Sequence, residues 1–240
     1  MVSLVALAVL LASFGSGYSI SSFLYMNIHN SGFHREIHYT LKFAGTSKMS
    51  CDLLLLQQFP ASMYVDTDQL TTMKKFKKIN SYVPLYVDVE KPESKSSPFV
   101  VYLFESLRKE VNITLPIHFR YHEPSEKKFE RIQIESPTVH IQCRNGNGKS
   151  TLKGLPTQRL PCPSSAMIYD YDKLGDASFC DWQELEFNNV PTVISVLIPV
   201  GNSASYKFVL PATILVSWIG SMYLIYIIFR SGKRINKKLL

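Results

Sequence analysis

Apolar and polar positions alternate through most of this chain, and the alternation stops only near its two ends. In residues 36–43, Glu-Ile-His-Tyr-Thr-Leu-Lys-Phe, every second side chain falls on one face, the spacing of a half-buried strand. Residues 51–56, 82–89, 99–104, 111–121, 129–134, 138–143 and 191–198 form similar short runs, rich in Val, Ile, Tyr and Phe and bounded by Pro, Gly, Asn or Ser. Such a series predicts a mainly β fold, an antiparallel β-sandwich. One short helix is predicted over 67–78, with Asp68 placed to cap its start. Residues 144–165 hold Gly, Asn, Pro and Ser without a period and read as a long loop.

At the ends the apolar residues are continuous. Residues 2–14 carry no charge and are followed by Gly15-Ser16-Gly17, small residues of the kind a signal peptidase accepts. The run is short for a membrane span and right for a secretory signal, which sets residues 1–17 apart as a signal peptide. Residues 208–229 are also uncharged, and about 20 helical residues cross the hydrocarbon core. A soluble helix of that length normally shows a polar face, and here the largest groups are Trp218, Tyr223 and Tyr226 among Ile, Leu and Val. The expected organisation is therefore a signal peptide, a lumenal β-rich domain over 18–207, one transmembrane helix over 208–229 and a tail over 230–240.

Charge fixes the orientation. Of the formal net charge of +7, five units lie in the last eleven residues, which hold no acidic side chain. The basic balance is thus a positive-inside signal placing the tail in the cytosol, and it implies no nucleic-acid partner. The chain ends Lys237-Lys238-Leu239-Leu240, a dilysine address of the kind coat proteins read to return membrane proteins to the endoplasmic reticulum. Four cysteines, Cys51, Cys143, Cys162 and Cys180, fall in the lumenal segment and lack zinc spacing. In an oxidising compartment they form up to two disulfides, with three pairings open. Asn112-Ile113-Thr114 is a glycosylation sequon.

Several fragments imitate catalytic motifs and fall short. Gly146-Asn147-Gly148-Lys149-Ser150 lacks the leading glycine of a phosphate-binding loop and runs into Pro-rich sequence instead of a helix. Asp66-Thr67-Asp68 and Asp170-Tyr171-Asp172 have the D-x-D form that holds a divalent metal, yet no nucleotide-binding βαβ pattern accompanies either. A turn or cap role is favoured. His118, Arg120 and His122 alternate and would share one face of a strand, with Ile117, Phe119 and Tyr121 inward. The row can bind a phosphate or a sugar acid, or simply face water. No nucleophile with a hydrolase signature is present, so the chain reads as non-catalytic, with no cofactor. In the transmembrane segment Thr213, Ser217, Gly220 and Ser221 lie on one side of the helix, a stripe that lets a partner helix approach closely.

Two long stretches carry a family resemblance. Phe59-Pro60-Ala61-Ser62-Met63-Tyr64-Val65-Asp66-Thr67-Asp68-Gln69-Leu70 resembles the hallmark stretch of the PIG-X family, and Leu115-Pro116-Ile117-His118-Phe119-Arg120-Tyr121-His122 with Pro124 resembles its second. Gly32-Phe33-His34-Arg35, residues 137–143, Cys180-Asp181-Trp182 and Ile198-Pro199-Val200-Gly201 add to the match, which spans roughly 32–229. The resemblance implies an accessory subunit of glycosylphosphatidylinositol mannosyltransferase I, the enzyme that adds the first mannose from dolichol-phosphate-mannose to the anchor precursor in the lumen. It also implies a multi-span catalytic partner, PIG-M, which this subunit stabilises. Tyr64, Asp66, His118, Arg120 and His122 are the lumenal positions expected to meet it. One departure stands out: the family's Pro after Tyr-Val-Asp is Thr67 here. Rival expectations are a lumenal chaperone or glycan-binding protein with several clients, and a transferase using Asp66, Asp68 and the 118–122 row.

Overall fold

A computed structural model describes residues 22–44, 50–144, 155–163, 178–187 and 193–236. The signal segment, the 146–150 loop, Asp170, Asp172, Lys237 and Lys238 lie outside these residues. Within them the chain forms β1 (Ser22–His29), β2 (His34–Phe43), β3 (Ser50–Phe59), β4 (Met63–Tyr64), α1 (Thr67–Lys75) and β5 (Asn80–Tyr82). There follow β6 (Phe99–Ser106), β7 (Glu110–Phe119), β8 (Phe129–Glu135), β9 (Thr138–Arg144), β10 (Thr157–Pro161), β11 (Phe179–Leu185), β12 (Val193–Pro199) and α2 (Tyr206–Asn236). The strands pair antiparallel into a four-stranded sheet β1-β2-β7-β4, a six-stranded sheet β10-β11-β9-β3-β6-β5 and a ribbon β12-β8.

The main core lies between these layers. Leu24, Ile37, Leu41, Leu115 and Ile117 bury from the four-stranded sheet, and Leu53, Leu55, Val101 and Leu103 from the six-stranded one. Ile132, Ile134, Val196 and Ile198 of the ribbon complete it. Strand β3 carries four consecutive leucines, Leu53 to Leu56, because both faces of its middle are covered. Leu54 joins Phe104, Leu160 and Trp182 in a second, smaller cluster on the other face of the sheet. Trp182 buries its ring fully and donates its Nε1 proton to Pro161 O at 3.1 Å, so its own polar atom is satisfied.

The cysteines resolve into two disulfides, Cys51–Cys143 and Cys162–Cys180. Cys51 and Cys143 face each other directly in the β3–β9 register, with Cα atoms 4.0 Å apart. Asn112 sits on the exposed outer face of β7, where its Oδ1 accepts from Thr40 Oγ1 at 2.8 Å.

Five expectations change. The strand expected over 82–89 stops at Tyr82, because Pro84 has no amide proton to give to a ladder. Beyond it Val83 and Val87 still bury, as parts of a loop. Strand β10 lies inside the region read as a loop; its first three residues are polar and exposed, only Leu160 and Pro161 are buried, and it is placed by pairing with β11 and by the adjacent Cys162–Cys180 bridge. The helix is capped by Asp66, not Asp68: Asp66 Oδ1 accepts from the amides of Asp68 and Gln69 at 2.9 and 3.1 Å. It closes three residues early, since Lys77 has φ +55° and the amides of Lys77 and Lys78 return to Lys74 O and Met73 O. Finally, β7 ends at Phe119, so the alternation assumed for 118–122 fails at its last three positions.

Helix α2 runs 31 residues, past both expected ends of the span. Ser203–Ser231 is apolar enough and long enough to cross a bilayer, and none of that window is buried against the rest of the chain.

Candidate functional site

The end of β7 gathers the side chains that the sequence singled out. Phe119 is held in the sandwich, and its amide donates to Phe33 O at 2.8 Å, tying β7 to the entrance of β2. The next residue turns inward. Arg120 is 5% exposed, where alternation put it in water, and Tyr121 is 73% exposed, where alternation put it in the core. The Arg120 amide donates to Ser62 O at 2.8 Å, and its guanidinium Nη1 donates to Asp88 O and Lys91 O at 2.7 and 2.6 Å. The same guanidinium lies 4.9 Å from the centre of the Tyr64 ring. One buried cation therefore joins β4, the strand end and the loop after β5.

Rings continue the stack. Tyr64 stacks on His118 with centroids 4.9 Å apart and planes 14° apart, and His34 meets His118 edge-on at 4.6 Å. His118 Nε2 donates to Gln69 Oε1 at 3.3 Å, while its buried Nδ1 has no partner. Burial, and then the neighbouring His34, hold the His118 pKa below the ordinary imidazole value, with Asp66 opposing. A second proton would go onto an Nδ1 that has no acceptor, so the neutral form is the one this site fits. Burial likewise raises the Tyr64 hydroxyl pKa. It lowers that of Arg120, against the pull of Tyr64 and Asp88.

Asp66 reaches the stack only through its field, because its carboxylate is engaged at the start of α1. His122 lies just outside and donates from Nδ1 to Arg120 O at 3.1 Å. So Tyr64, His118 and Arg120 come together, Asp66 and His122 stand at their rim, and the expected H-x-R-x-H row does not exist as a row. Gln69, His34 and the carbonyls of Asp88 and Lys91 went unread in the sequence. The carbonyls leave no side-chain signature, and His34 becomes a neighbour of His118 only through the β2–β7 register. The D-x-D carboxylates of 66 and 68 form a helix start, and the cluster offers no nucleophile. Its chemistry is that of a weld between chain segments.

On α2 the small residues are likewise satisfied within the chain. The hydroxyls of Thr213, Ser217 and Ser221 donate to the carbonyls of Val209, Thr213 and Ser217 at 2.7–2.9 Å. A Cβ added at Gly220 would meet nothing within 4 Å.

The weld is built from the segments that carry the family resemblance: 32–35, 59–70 and 115–122 converge on it, and 198–201 enters beside it. Arg35 Nη2 reaches Leu197 O at 3.4 Å, and Ser125 N donates to Gly201 O at 2.9 Å. The chain is 25% identical over 218 residues to the human protein named GPI alpha-1,4-mannosyltransferase I, stabilizing subunit, covering 87% of this chain and 80% of the relative. The rat and mouse proteins of the same name are each 22% identical over 210 residues, covering 84% of this chain and 79% and 78% of theirs. The profile of the PIG-X / PBN1 family matches residues 30–229, and the chain belongs to that family.

Proposed function

We propose that this protein is the non-catalytic, stabilising subunit of GPI mannosyltransferase I in the endoplasmic reticulum membrane, supporting the catalytic subunit PIG-M in transfer of the first mannose. The observation that carries the reading, beyond family membership, is the bare helix α2. An apolar helix with none of its surface packed on its own domain presents that whole surface to lipid and to a partner helix in the membrane. Both disulfides belong to an oxidising compartment, which supports a lumenal sandwich, and the basic tail supports the cytosolic side for the carboxyl end. The sandwich rests on lumenal loops of the catalytic subunit, near the half-exposed rims of Tyr64, Asp66, His118 and His122. A partner that binds only the folded form raises its folded population by mass action.

The stripe Thr213, Ser217, Gly220 and Ser221 acts through size, because its hydroxyls already bond within the helix. Ser217→Ala with Ser221→Ala keeps the catalytic subunit at its normal level, whereas Ser217→Leu with Gly220→Leu lowers it. Equal levels in the two variants would remove the stripe from the interface. Asn112 carries a glycan on the exposed sheet face, read as a mobility shift lost in Asn112→Gln. Lys237 and Lys238 act as a coat-protein address, and their replacement by alanine moves the chain out of the endoplasmic reticulum.

The deciding experiment deletes this protein and follows the catalytic subunit. Its level and its mannosyltransferase activity fall, and both return with wild type and with Asp66→Ala/Asp68→Ala. A catalytic subunit that persists at normal level and activity without this chain overturns the proposal.

A further inference from the structure

One groove in the sandwich has no role in the weld. It measures about 810 Å³ and lies between residues 24–28 of β1 and 194–197 of β12, with Arg35 between them. Both walls are strand edges. Among the described residues β1 pairs only with β2, and β12 only with β8, so each has one edge without a ladder partner, along which Leu197 O takes a bond from the Arg35 side chain. Leu24, Met26 and Val196 are buried along the groove, and Tyr25 and Leu197 stand exposed on it. An open edge of this kind invites pairing with another extended chain, and native proteins keep such edges only when they block them or use them. No proline, lysine or acidic residue blocks this one over 24–28 or 194–197.

Arg35 gives the groove its sign. Its guanidinium donates from Nε to Gly32 O at 3.0 Å and from Nη2 to Leu197 O at the long distance of 3.4 Å, and it lies 5.3 Å from the centre of the Phe119 ring. Among the described residues no Asp or Glu lines the groove or pairs with Arg35. Two copies meeting through this surface would set Arg35 against Arg35, since a two-fold interface brings each patch onto itself.

We propose that the groove receives an extended lumenal segment of the catalytic subunit, which adds as a strand to the open edge of β1 and brings an acidic side chain to Arg35. This rests on the stabilising-subunit reading and deepens it: main-chain hydrogen bonds supply the hold, and the apolar wall and Arg35 supply selectivity. Five residues of wall, at about 3.3 Å each, accept a segment of about 17 Å. A loop clamped there is ordered only while this subunit is present, which accounts for stabilisation without any catalytic group.

The test uses the full-length chain in cells lacking the endogenous protein. A photo-crosslinking phenylalanine analogue is placed at Tyr25, at Leu197 and, as a control, at the exposed Phe179. Adducts with the catalytic subunit are expected at the first two sites and not at the third, mapping to one extended acidic segment. Separately, Tyr25→Lys with Leu197→Lys changes exposed side chains only, and co-purified catalytic subunit is expected to fall about tenfold while both disulfides form normally. If wild type restores the catalytic subunit and the double variant restores it equally, or if the adducts join two copies of this chain, the groove proposal is overturned. If wild type itself fails to restore the catalytic subunit, the stabilising-subunit reading has failed, and the groove proposal goes with it.

Discussion

At position 120 one guanidinium serves two kinds of contact. Two carbonyls, of Asp88 and Lys91, take hydrogen bonds from one nitrogen of Arg120 while its plane lies over Tyr64. Lysine can donate from its ammonium but lacks the flat group beside Tyr64, so Arg120→Lys weakens these contacts, and methionine leaves both carbonyls unpaired as well. We expect Arg120→Lys to cost about 2 kcal/mol and Arg120→Met about 3 kcal/mol, from the carbonyls left unpaired and the lost ring contact. Denaturant midpoints of the full chain in detergent check this, and an unchanged midpoint would show that the weld does not hold the 83–95 loop. His118 predicts a pH dependence. Its pKa, like that of the buried His140, is pushed below the ordinary imidazole value chiefly by burial, with Glu184 opposing at His140. The unfolded chain therefore takes up protons first. Stability from these residues is complete above about pH 6.5, the unfolded value, and declines as pH falls through the lower folded values. Unfolding midpoints measured from pH 7.5 to 5 should fall, and His118→Gln should flatten part of the slope. A slope unaltered by that substitution would place the proton uptake elsewhere. Little of this site was legible in the sequence: the right residues stood out, but a period of two carried two places too far reversed the burial of Arg120 and Tyr121.

Several elements with an uninterrupted period were legible almost to the residue, although β1, which also alternates, and β11 went unread. Strands β2, β6, β8 and β9 lie where alternation puts them, because each buries one face against the core and a one-residue slip would expose all of it. Strand β10 was not, because its position comes from the neighbouring strand and a disulfide instead of its own pattern. The start of α1 lies between these cases: the aspartates mark it, and geometry chooses Asp66. Asp66→Ala should therefore cost about 1 kcal/mol, and Asp68→Ala much less, since it removes only a favourable charge in the first turn. Thr67 is the first helical residue, where a missing amide proton costs nothing and a fixed φ is already right. Asp66 before it is extended, at φ −79° and ψ 112°, as a residue preceding proline must be. Thr67→Pro, which restores the family's own residue, should leave stability unchanged or raise it by about 0.5 kcal/mol. A large loss would mean that the Thr67 hydroxyl or amide has a role the cap geometry does not reveal.

At the scale of the whole molecule, the two disulfides differ in what they tie. Cys162–Cys180 spans 18 residues and fastens β10 to the start of β11, at one edge of the larger sheet. Cys51–Cys143 spans 92 residues and locks β3 to β9 at the middle of that sheet, joining strands far apart in the sequence. On loop-closure entropy alone, the long bridge restrains the unfolded chain by roughly 5 kcal/mol and the short one by roughly 3 kcal/mol. Burial adds to the contrast, because Cys51 and Cys143 both lie within the main core and Cys180 only borders the smaller cluster. The expected order is therefore Cys51→Ala/Cys143→Ala far more damaging than Cys162→Ala/Cys180→Ala, measured as steady-state level of the chain and of its catalytic partner. If the chain folds with its sandwich in the lumen, both pairs are protected from alkylation until reductant is added, and forcing the domain into the cytosol leaves all four thiols open. Were the short-bridge variant the weaker of the two, stability would reside in the β10–β11 edge and its surroundings, and the sheet centre would be self-sufficient.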